Sequence, residues 1–191
     1  MEDFVKSKLK ELEVTRKDFW NLPPESANFI NMIIKSHNIK TVLEIGTSNG
    51  YSAIWICDAL KQTSGHLVSL EFWQKRIDLA EANLKKCNLL KIATIKCGSA
   101  FGLIQELTPE DFNSDKLELD LVFIDANKSE YIKYFELVHP LIKKGGIILA
   151  DNVSSHPEKV QPFMDAIAGH ENYQSELLTF DGGLLMALKI S

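Results

Sequence analysis

The chain has 191 residues, of which 45% are hydrophobic and 25% charged, and its net charge at pH 7 is −5. This length and composition predict one globular domain, residues 1–191, and the acidic balance argues against general attraction to nucleic acid or anionic membranes. No apolar stretch approaches the roughly 18 residues needed to span a bilayer. The three cysteines, Cys57, Cys87 and Cys97, are odd in number and form no C-x-x-C motif, which argues against a disulfide framework or a zinc site. Their scarcity predicts a reducing, cytoplasmic location.

Short β-rich apolar segments alternate along the chain with longer segments of helical periodicity, a pattern typical of α/β proteins. The first predicted elements are two helices, at residues 5–12 and 26–36, separated by the irregular stretch DFWNLPPE. Five strands are then predicted, at residues 41–45, 66–71, 91–97, 119–125 and 146–150. The predicted helices between them cover residues 51–61, 74–87, 100–107 and 129–142.

The last third of the sequence predicts how the sheet ends. The stretch KKGG at residues 143–146 is typical of a helix stop. One more helix is predicted from Pro157 to about residue 168. Strand-like segments at residues 173–180 and 184–190 flank the sequence DGG, which predicts a hairpin. We therefore expect a mostly parallel, seven-stranded sheet with an antiparallel C-terminal hairpin and helices on both faces. Residues 1–38 would form an N-terminal helical cap and residues 39–191 a Rossmann-like core.

The loop after the first strand, GTSNG at residues 46–50, allows two interpretations. As a G-x-S-x-G pattern it would make Ser48 the nucleophile of an α/β-hydrolase. Only one strand precedes Ser48, however, and nothing marks the late histidines, His156 and His170, as a catalytic base. The alternative is a ligand-binding loop. A pyrophosphate site is disfavoured because the loop lacks the middle glycine of G-x-G-x-x-G.

Two acidic residues near this loop indicate the kind of ligand. Glu71 ends the second strand, where a carboxylate can accept both hydroxyls of a ribose. Glu44 lies inside an apolar strand, and a buried carboxylate needs partners. Its natural partners would be amides of the loop and, through water, a cationic amino group. A ligand with a ribose, an ammonium and no phosphates is S-adenosylmethionine.

Six segments carry a family resemblance, in order, over roughly residues 22–189: VLEIGTSNGYSAIW, LVSLEFW, CGSA, LVFIDANKSEYIKYF, GGIILADNV and DGGLLMALK. On these segments the chain resembles the class I S-adenosylmethionine-dependent, metal-dependent O-methyltransferases, which include catechol and caffeoyl-CoA O-methyltransferases. The combination of DANK and ADN at two adjacent strand ends is the most specific part. The resemblance implies the Rossmann-like methyltransferase fold and methyl transfer to an oxygen.

The resemblance also implies where S-adenosylmethionine binds. The glycine loop would pass beneath the methionine part, Glu71 would hold the ribose, and Phe72 would pack on the adenine. Asn21 and Leu22, in a segment that wraps the cofactor, are the weakest matches. The implied cofactor contacts are Asn21, Leu22, Glu44, Gly46, Thr47, Ser48, Gly50, Tyr51, Ser52, Glu71, Phe72, Gly98, Ser99, Ala100 and Asp125.

Asp125, Asp151 and Asn152 match the metal ligands of the family. Three oxygen ligands suit a hard cation, Mg²⁺ or in its place Mn²⁺, and leave positions for two neighbouring substrate hydroxyls. Such an ion would orient one hydroxyl and lower its pKa. Lys128 matches the general base, so Lys128 and Asp125 are the implied catalytic residues.

Simpler structural roles compete with these assignments. Asp125 could cap a helix that starts at Ser129, and Asp151 with Asn152 could form an ordinary turn. His156 is expected to be a surface-loop histidine. Three aromatic residues are expected in the core rather than in a substrate wall: Trp55, Phe101 and Phe123.

The acceptor is expected to be a small molecule with neighbouring hydroxyls, such as a catechol. One alternative is a hydroxyl of a modified tRNA wobble uridine, and a homodimer could assemble a basic groove for it. Against this alternative, Arg16 and Arg76 are the only arginines. Another alternative is a non-catalytic S-adenosylmethionine-binding module, against which the intact DANK and ADN motifs argue.

Overall fold

The computed structural model describes all residues, 1–191, and contains one seven-stranded sheet flanked by eight α-helices. The strand order is β3-β2-β1-β4-β5-β7-β6. The strands are β1 (Thr41–Ile45), β2 (His66–Glu71), β3 (Ala93–Cys97), β4 (Leu119–Ile124), β5 (Ile142–Asp151), β6 (Tyr173–Leu178) and β7 (Leu184–Lys189). The helices are α1 (Asp3–Val14), α2 (Arg16–Phe19), α3 (Pro24–Ser36), α4 (Tyr51–Thr63), α5 (Gln74–Lys86), α6 (Ala100–Gln105), α7 (Tyr131–Val138) and α8 (Pro157–Ala168).

The predicted fold class is confirmed. Strands β1 to β5 pair in parallel, and β7 joins β5 and β6 antiparallel, so the C-terminal hairpin is present. The central strands β1, β2 and β4 are buried along their whole length, which explains their continuous apolar sequences. No helix combines the length and the apolar character needed to cross a membrane.

Apolar cores lie on the two faces of this sheet, and alternating strand residues supply both. Val42 of β1 packs with α1, α3 and α4 on one face. Leu43 and Ile45 pack on the other face with α7 and α8. Since neighbouring side chains on a strand point to opposite faces, this alternation requires a sheet covered on both sides. The carboxyl ends of the strands are left free to carry a site.

The predicted helix stop at KKGG is wrong. Helix α7 ends at Val138, a 3₁₀ turn covers His139–Leu141, and β5 already begins at Ile142. Pro140, which has no amide hydrogen to donate, lies in the turn that ends the helix. The four residues 143–146 form an irregularity within β5, because Leu119 pairs with Ile142 while Leu121 pairs with Ile147.

Other differences concern the ends of elements. Strand β3 starts at Ala93 rather than at residue 91, because a 3₁₀ turn occupies Leu90–Ile92. Helix α6 ends at Gln105 instead of residue 107. The stretch predicted as irregular begins inside the short helix α2, which ends with Trp20 in a left-handed conformation.

Candidate active site

Four loops meet at the carboxyl ends of the parallel strands because the strand register aligns them. Ile45 of β1 pairs with Leu70 on one side and with Ile124 on the other, and Ile124 pairs with Ala150. The pairing continues one residue beyond β1, since the Gly46 amide donates to the carbonyl of Leu70 at 2.9 Å. The loops that follow β1, β2, β4 and β5 therefore lie side by side, as expected for a ligand site in an open α/β sheet.

A cavity of about 910 Å³ opens at these loops. Its volume is near the upper end of the range of ligand pockets, roughly 300–1,000 Å³. The predicted site residues in its wall are Gly46, Ser48, Glu71, Phe72, Gly98, Ser99, Ala100, Asp125, Lys128 and Asn152. The structure thus brings together ten residues from the ends of five parallel strands, β1 to β5.

The remaining predicted residues divide into two groups. A small adjoining cavity beneath Trp20 is lined by Asn21, Leu22, Thr47, Tyr51 and Ser52. Neither cavity is lined by Glu44, Gly50 or Asp151. The side chains of Glu44 and Asp151 are fully buried behind the residues that line the cavities.

Glycine is required at two positions of the loop after β1. A β-carbon at Gly46, whose φ is +101°, would lie 2.2 Å from the carbonyl oxygen of Asp125. Gly50 has a φ of +83° and precedes α4, where a β-carbon would crowd Ala80. The two glycines let this loop approach the loop after β4 and turn directly into a helix.

Ser48 lacks the partners of a serine nucleophile. Its hydroxyl donates to the carbonyl of Phe19 at 3.0 Å, and no histidine contacts it. The hydrolase interpretation therefore has no base to activate the hydroxyl. The contact instead joins the glycine loop to the last residue of α2.

The carboxylate of Glu71 is fixed by backbone amides. Oε1 accepts from the amides of Phe72 and Trp73 at 2.9 and 3.0 Å, and Oε2 accepts from the Ser48 amide at 2.9 Å. Glu71 is buried, whereas Phe72 and Trp73 are 63% and 64% exposed at the rim of the cavity. These amides hold the side chain in place, and each carboxylate oxygen keeps capacity for a further donor.

Glu44 is completely buried, and its partners differ from those expected. The hydroxyls of Ser52 and Ser69 donate to its two oxygens, whereas amides of the loop had been expected. Burial raises the pKa of Glu44 to about 7, against the lowering effect of the two hydroxyls. Ser52 lines the small cavity, so Glu44 is one hydrogen bond away from that space.

Asp125 and Lys128 form an ion pair in the wall of the cavity. Lys128 Nζ donates to Asp125 Oδ1 at 2.8 Å, and both side chains are about four-fifths buried. Asp125 does not cap the following helical turn. That position is taken by Asn127, whose side chain accepts from the amide of Ser129.

Asp151 and Asn152 end β5 next to this pair. Asp151 is fully buried, its Oδ1 has no hydrogen-bond partner, and the Asn152 amide group donates to its Oδ2. Burial and the neighbouring Asp125 carboxylate raise the pKa of Asp151 to about 7. The φ of Asn152 is +63°, a left-handed conformation that turns the chain abruptly after the strand.

These three residues suit a cation by their chemistry. Two carboxylates lie together with one buried oxygen unpartnered, and Lys128, which pairs with Asp125, only partly offsets their negative charge. The structure contains no cluster of three or more histidine, cysteine, aspartate or glutamate side chains that could hold a metal. The third ligand would therefore have to be the amide oxygen of Asn152, which gives the all-oxygen set that Mg²⁺ prefers.

Several residues of the cavity wall were not predicted from the sequence. Phe101 is partly buried and packs against the core as expected, but it also lines the cavity and stacks on Tyr134, with ring centroids 5.1 Å apart. Trp55 and Phe123 do pack with the core as expected. His156 is exposed, as expected, but it also lines the cavity. Wall residues that the sequence analysis missed include Phe19, Trp20, Trp73, Arg76, Asn127, Glu130, Tyr134 and Lys159.

Comparison with known proteins agrees with this geometry. A family model described as O-methyltransferase matches residues 2–181. A catechol O-methyltransferase from Niastella koreensis is 32% identical over 133 residues, which cover 70% of this chain and 58% of the relative. Caffeoyl-CoA O-methyltransferase 2 from Eucalyptus globulus is 32% identical over 81% of this chain and 63% of the relative. The chain thus spans about three fifths of the length of these relatives.

Solved structures show the same architecture. The O-methyltransferase from Bacillus cereus, in complex with SAH, superposes with a TM-score of 0.84 at 25% identity, covering 99% of this chain and 91% of that one. A structure described as a putative caffeoyl-CoA O-methyltransferase from Staphylococcus aureus gives a TM-score of 0.80 at 26% identity, covering 93% and 91%. With its sheet order, its strand-end cavity and a family match that spans nearly the whole sequence, the chain belongs to the O-methyltransferase family.

Proposed function

We propose that this chain is an S-adenosylmethionine-dependent O-methyltransferase that acts on one hydroxyl of a small vicinal diol, such as a catechol. The observation that carries the proposal is that Asp125 and Asp151 follow paired residues of adjacent strands, with one buried Asp151 oxygen unpartnered. They lie beside a cavity that is also lined by Glu71. Relatives named catechol and caffeoyl-CoA O-methyltransferase support the substrate class.

The cofactor half of the proposal uses the loops after β1, β2 and β3. Glu71, held by three amides, would accept the ribose hydroxyls, and the exposed ring of Phe72 would pack on the adenine. Glu44 and Ser52 would face the methionine ammonium across the small cavity. S-adenosylmethionine would supply the methyl group from its sulfonium.

The acceptor half uses the loops after β4 and β5. Asp125, Asp151 and Asn152 would hold Mg²⁺, or Mn²⁺ in its place. The ion would supply a chelating centre for the two hydroxyl oxygens and lower the pKa of one of them. The stacked rings of Phe101 and Tyr134 provide an aromatic wall for the acceptor.

Lys128 is the proposed general base. Its Nζ lies 2.8 Å from Asp125, so as a neutral amine it would accept the proton of a hydroxyl held beside Asp125. The walls of the cavity hold two reactants in one orientation, which can supply much of the rate enhancement of a bimolecular displacement. The three free cysteines also support our proposal that the protein resides in the reducing cytoplasm.

The test is a transfer assay with methyl-labelled S-adenosylmethionine, Mg²⁺ and a catechol. We expect labelled monomethyl ether from the wild type and its loss in Asp151→Ala. The matched control is Asp115→Ala, because Asp115 is exposed, has no ion pair and lies outside the cavity. No transfer to any diol by a folded wild-type protein that binds S-adenosylhomocysteine would refute the proposed reaction.

A further inference from the structure

The balance of acidic and basic side chains in the cavity wall differs from that of the whole chain. The whole chain is net acidic, at −5, yet its cavity wall carries equal numbers of acidic and basic side chains. The acidic ones are Glu71, Asp125 and Glu130, and the basic ones are Arg76, Lys128 and Lys159. Which of these charges already have partners decides what the cavity can offer a ligand.

All three acidic side chains already have a hydrogen-bond or ion-pair partner. Glu71 accepts from backbone amides, and Asp125 pairs with Lys128. Glu130 Oε2 accepts from the hydroxyl of Tyr134 at 2.6 Å. Glu71 and Glu130 keep their negative charge because their donors are neutral, but neither forms an ion pair with a basic side chain of the wall.

Lys159 and His156 lack partners altogether. Neither side chain makes an ion pair or a hydrogen bond in the structure, although both line the cavity. They lie one helical turn apart at the start of α8, since the Lys159 amide donates to the carbonyl of His156 at 3.0 Å. The preceding loop carries Asn152, so this pair lies on the acceptor side of the cavity. Arg76 follows β2, on the cofactor side, and its guanidinium lies over the ring of Trp20.

We infer that the acceptor carries a carboxylate in addition to its two hydroxyls, and that Lys159 and His156 bind it. This inference rests on the proposed function, because the diol fixes which part of the acceptor faces α8. One ammonium and one imidazole N–H offer two donors, which suits the two oxygens of a single carboxylate. Lys159 and His156 are thus specificity-determining residues, and the substrate class is an acidic aromatic diol.

The test compares two acceptors of nearly equal shape, 3,4-dihydroxybenzoate and 3,4-dihydroxybenzamide. The measured quantity is the ratio of their kcat/KM values, which cancels effects common to both diols. We expect the wild type to prefer the benzoate and Lys159→Gln to lower the ratio about two- to five-fold, the size expected for loss of an exposed ion pair. His156→Gln should lower the ratio less, because it exchanges one N–H donor for another, whereas Lys159→Gln also removes an ammonium charge.

Lys85→Gln is the matched control, since Lys85 is an exposed, unpaired lysine on α5 outside the cavity. It should keep the wild-type ratio. A second readout, the affinity of the S-adenosylhomocysteine complex for each diol by calorimetry, should show the same change in ratio. Turnover of both diols with a ratio unchanged in Lys159→Gln would overturn the inference and leave the proposed function standing. Failure of the wild type to methylate these two diols while it methylates catechol would overturn the inference alone, and failure on every diol tested would overturn both.

Discussion

Asp125 and Asp151 lie side by side because the residues before them, Ile124 and Ala150, are paired in adjacent parallel strands. The buried hydroxyl of Tyr131 ties the two strand ends together by contacting the backbone carbonyls of Ile124 and Asp151 at 3.3 and 3.0 Å. Two carboxylates held this close repel each other unless a cation or a proton lies between them. Lys128 pairs with Asp125 and offsets the repulsion at Asp151 only in part, because the pKa of Asp151 stays raised to about 7.

The first prediction is that turnover requires a divalent cation. EDTA should abolish methyl transfer, and excess Mg²⁺ or Mn²⁺ should restore it, because Asp125, Asp151 and Asn152 offer only oxygen ligands. Affinity for S-adenosylhomocysteine, measured by calorimetry, should change little because the cation serves the acceptor. Full activity in excess EDTA would contradict the assignment of all three ligands.

The second prediction concerns Glu71. Glu71→Ala should weaken binding of S-adenosylhomocysteine by ~1.5–3 kcal/mol, since hydrogen bonds to a charged acceptor are lost. Calorimetry measures this change directly. Circular dichroism should check that the variant is folded, because the same carboxylate also accepts from the amides of Ser48, Phe72 and Trp73.

Ser48→Ala is the control for this experiment. It removes only a hydroxyl that donates to the carbonyl of Phe19 and leaves the Ser48 amide in place. Its cofactor affinity and activity should stay close to wild type. Unchanged affinity in Glu71→Ala would exclude the ribose assignment, and complete inactivity of Ser48→Ala would revive the nucleophile hypothesis.

The third prediction tests Lys128 as the base. Lys128→Ala should lower the rate of transfer ~10²–10⁴-fold, the usual contribution of general acid–base catalysis. Lys128→Arg should not restore it, because a guanidinium stays protonated at neutral pH. Single-turnover rates at saturating cofactor separate this effect from weaker binding. A near-wild-type rate for Lys128→Ala would show that no side-chain base is needed.

The sequence predicted the central strands well because their signals are local. Strands β1 and β2 begin and end where the apolar segments predicted, and both end beside a site residue, Gly46 or Glu71. The error at residues 143–146 has a physical cause. Gly146 is close to the carbonyl of Leu119, where a β-carbon would lie 2.9 Å away, so glycine serves a strand irregularity here and not a helix end.

The walls of the cavity were harder to predict than its floor. Strand ends converge by topology alone, so Asp125 and Asn152 could be placed together from the sequence. Tyr134 and Lys159 come from the helices α7 and α8, and the direction in which each points depends on how those helices pack on the sheet. Helical periodicity indicates a buried face but does not specify which residue of that face borders a cavity.

The fourth prediction concerns pH and Glu44. Its pKa is about 7 in the folded protein and 4.5 as an ordinary side chain, so the fold favours the protonated form. This contribution to stability is fully present below pH 4.5 and is lost as pH rises through 7. By linkage the loss is on the order of 3 kcal/mol. Urea unfolding at pH 4.5 and pH 8 should show a larger decrease for the wild type than for Glu44→Gln. Equal decreases would contradict the raised pKa.

The fifth prediction is that the acceptor is a small diol and not tRNA. Proteins that bind tRNA obtain much of their affinity by neutralising phosphates, so their binding weakens steeply with salt. The two arginines of this chain are already engaged: Arg16 pairs with Asp181, and Arg76 lies over the ring of Trp20.

Competition measures this preference. Excess bulk tRNA at low salt should leave methylation of 3,4-dihydroxybenzoate unaffected, because a phosphate backbone would find no arginine-rich surface here. Nucleic-acid binding weakens steeply between about 50 and 200 mM salt. Over the same range, the rate of methyl transfer to the diol should change only modestly. Inactivity on diols together with salt-sensitive incorporation of label into undermodified tRNA would reverse the assignment. In that case scattered lysines, brought together in a dimer, would have to supply the phosphate contacts that the single chain lacks.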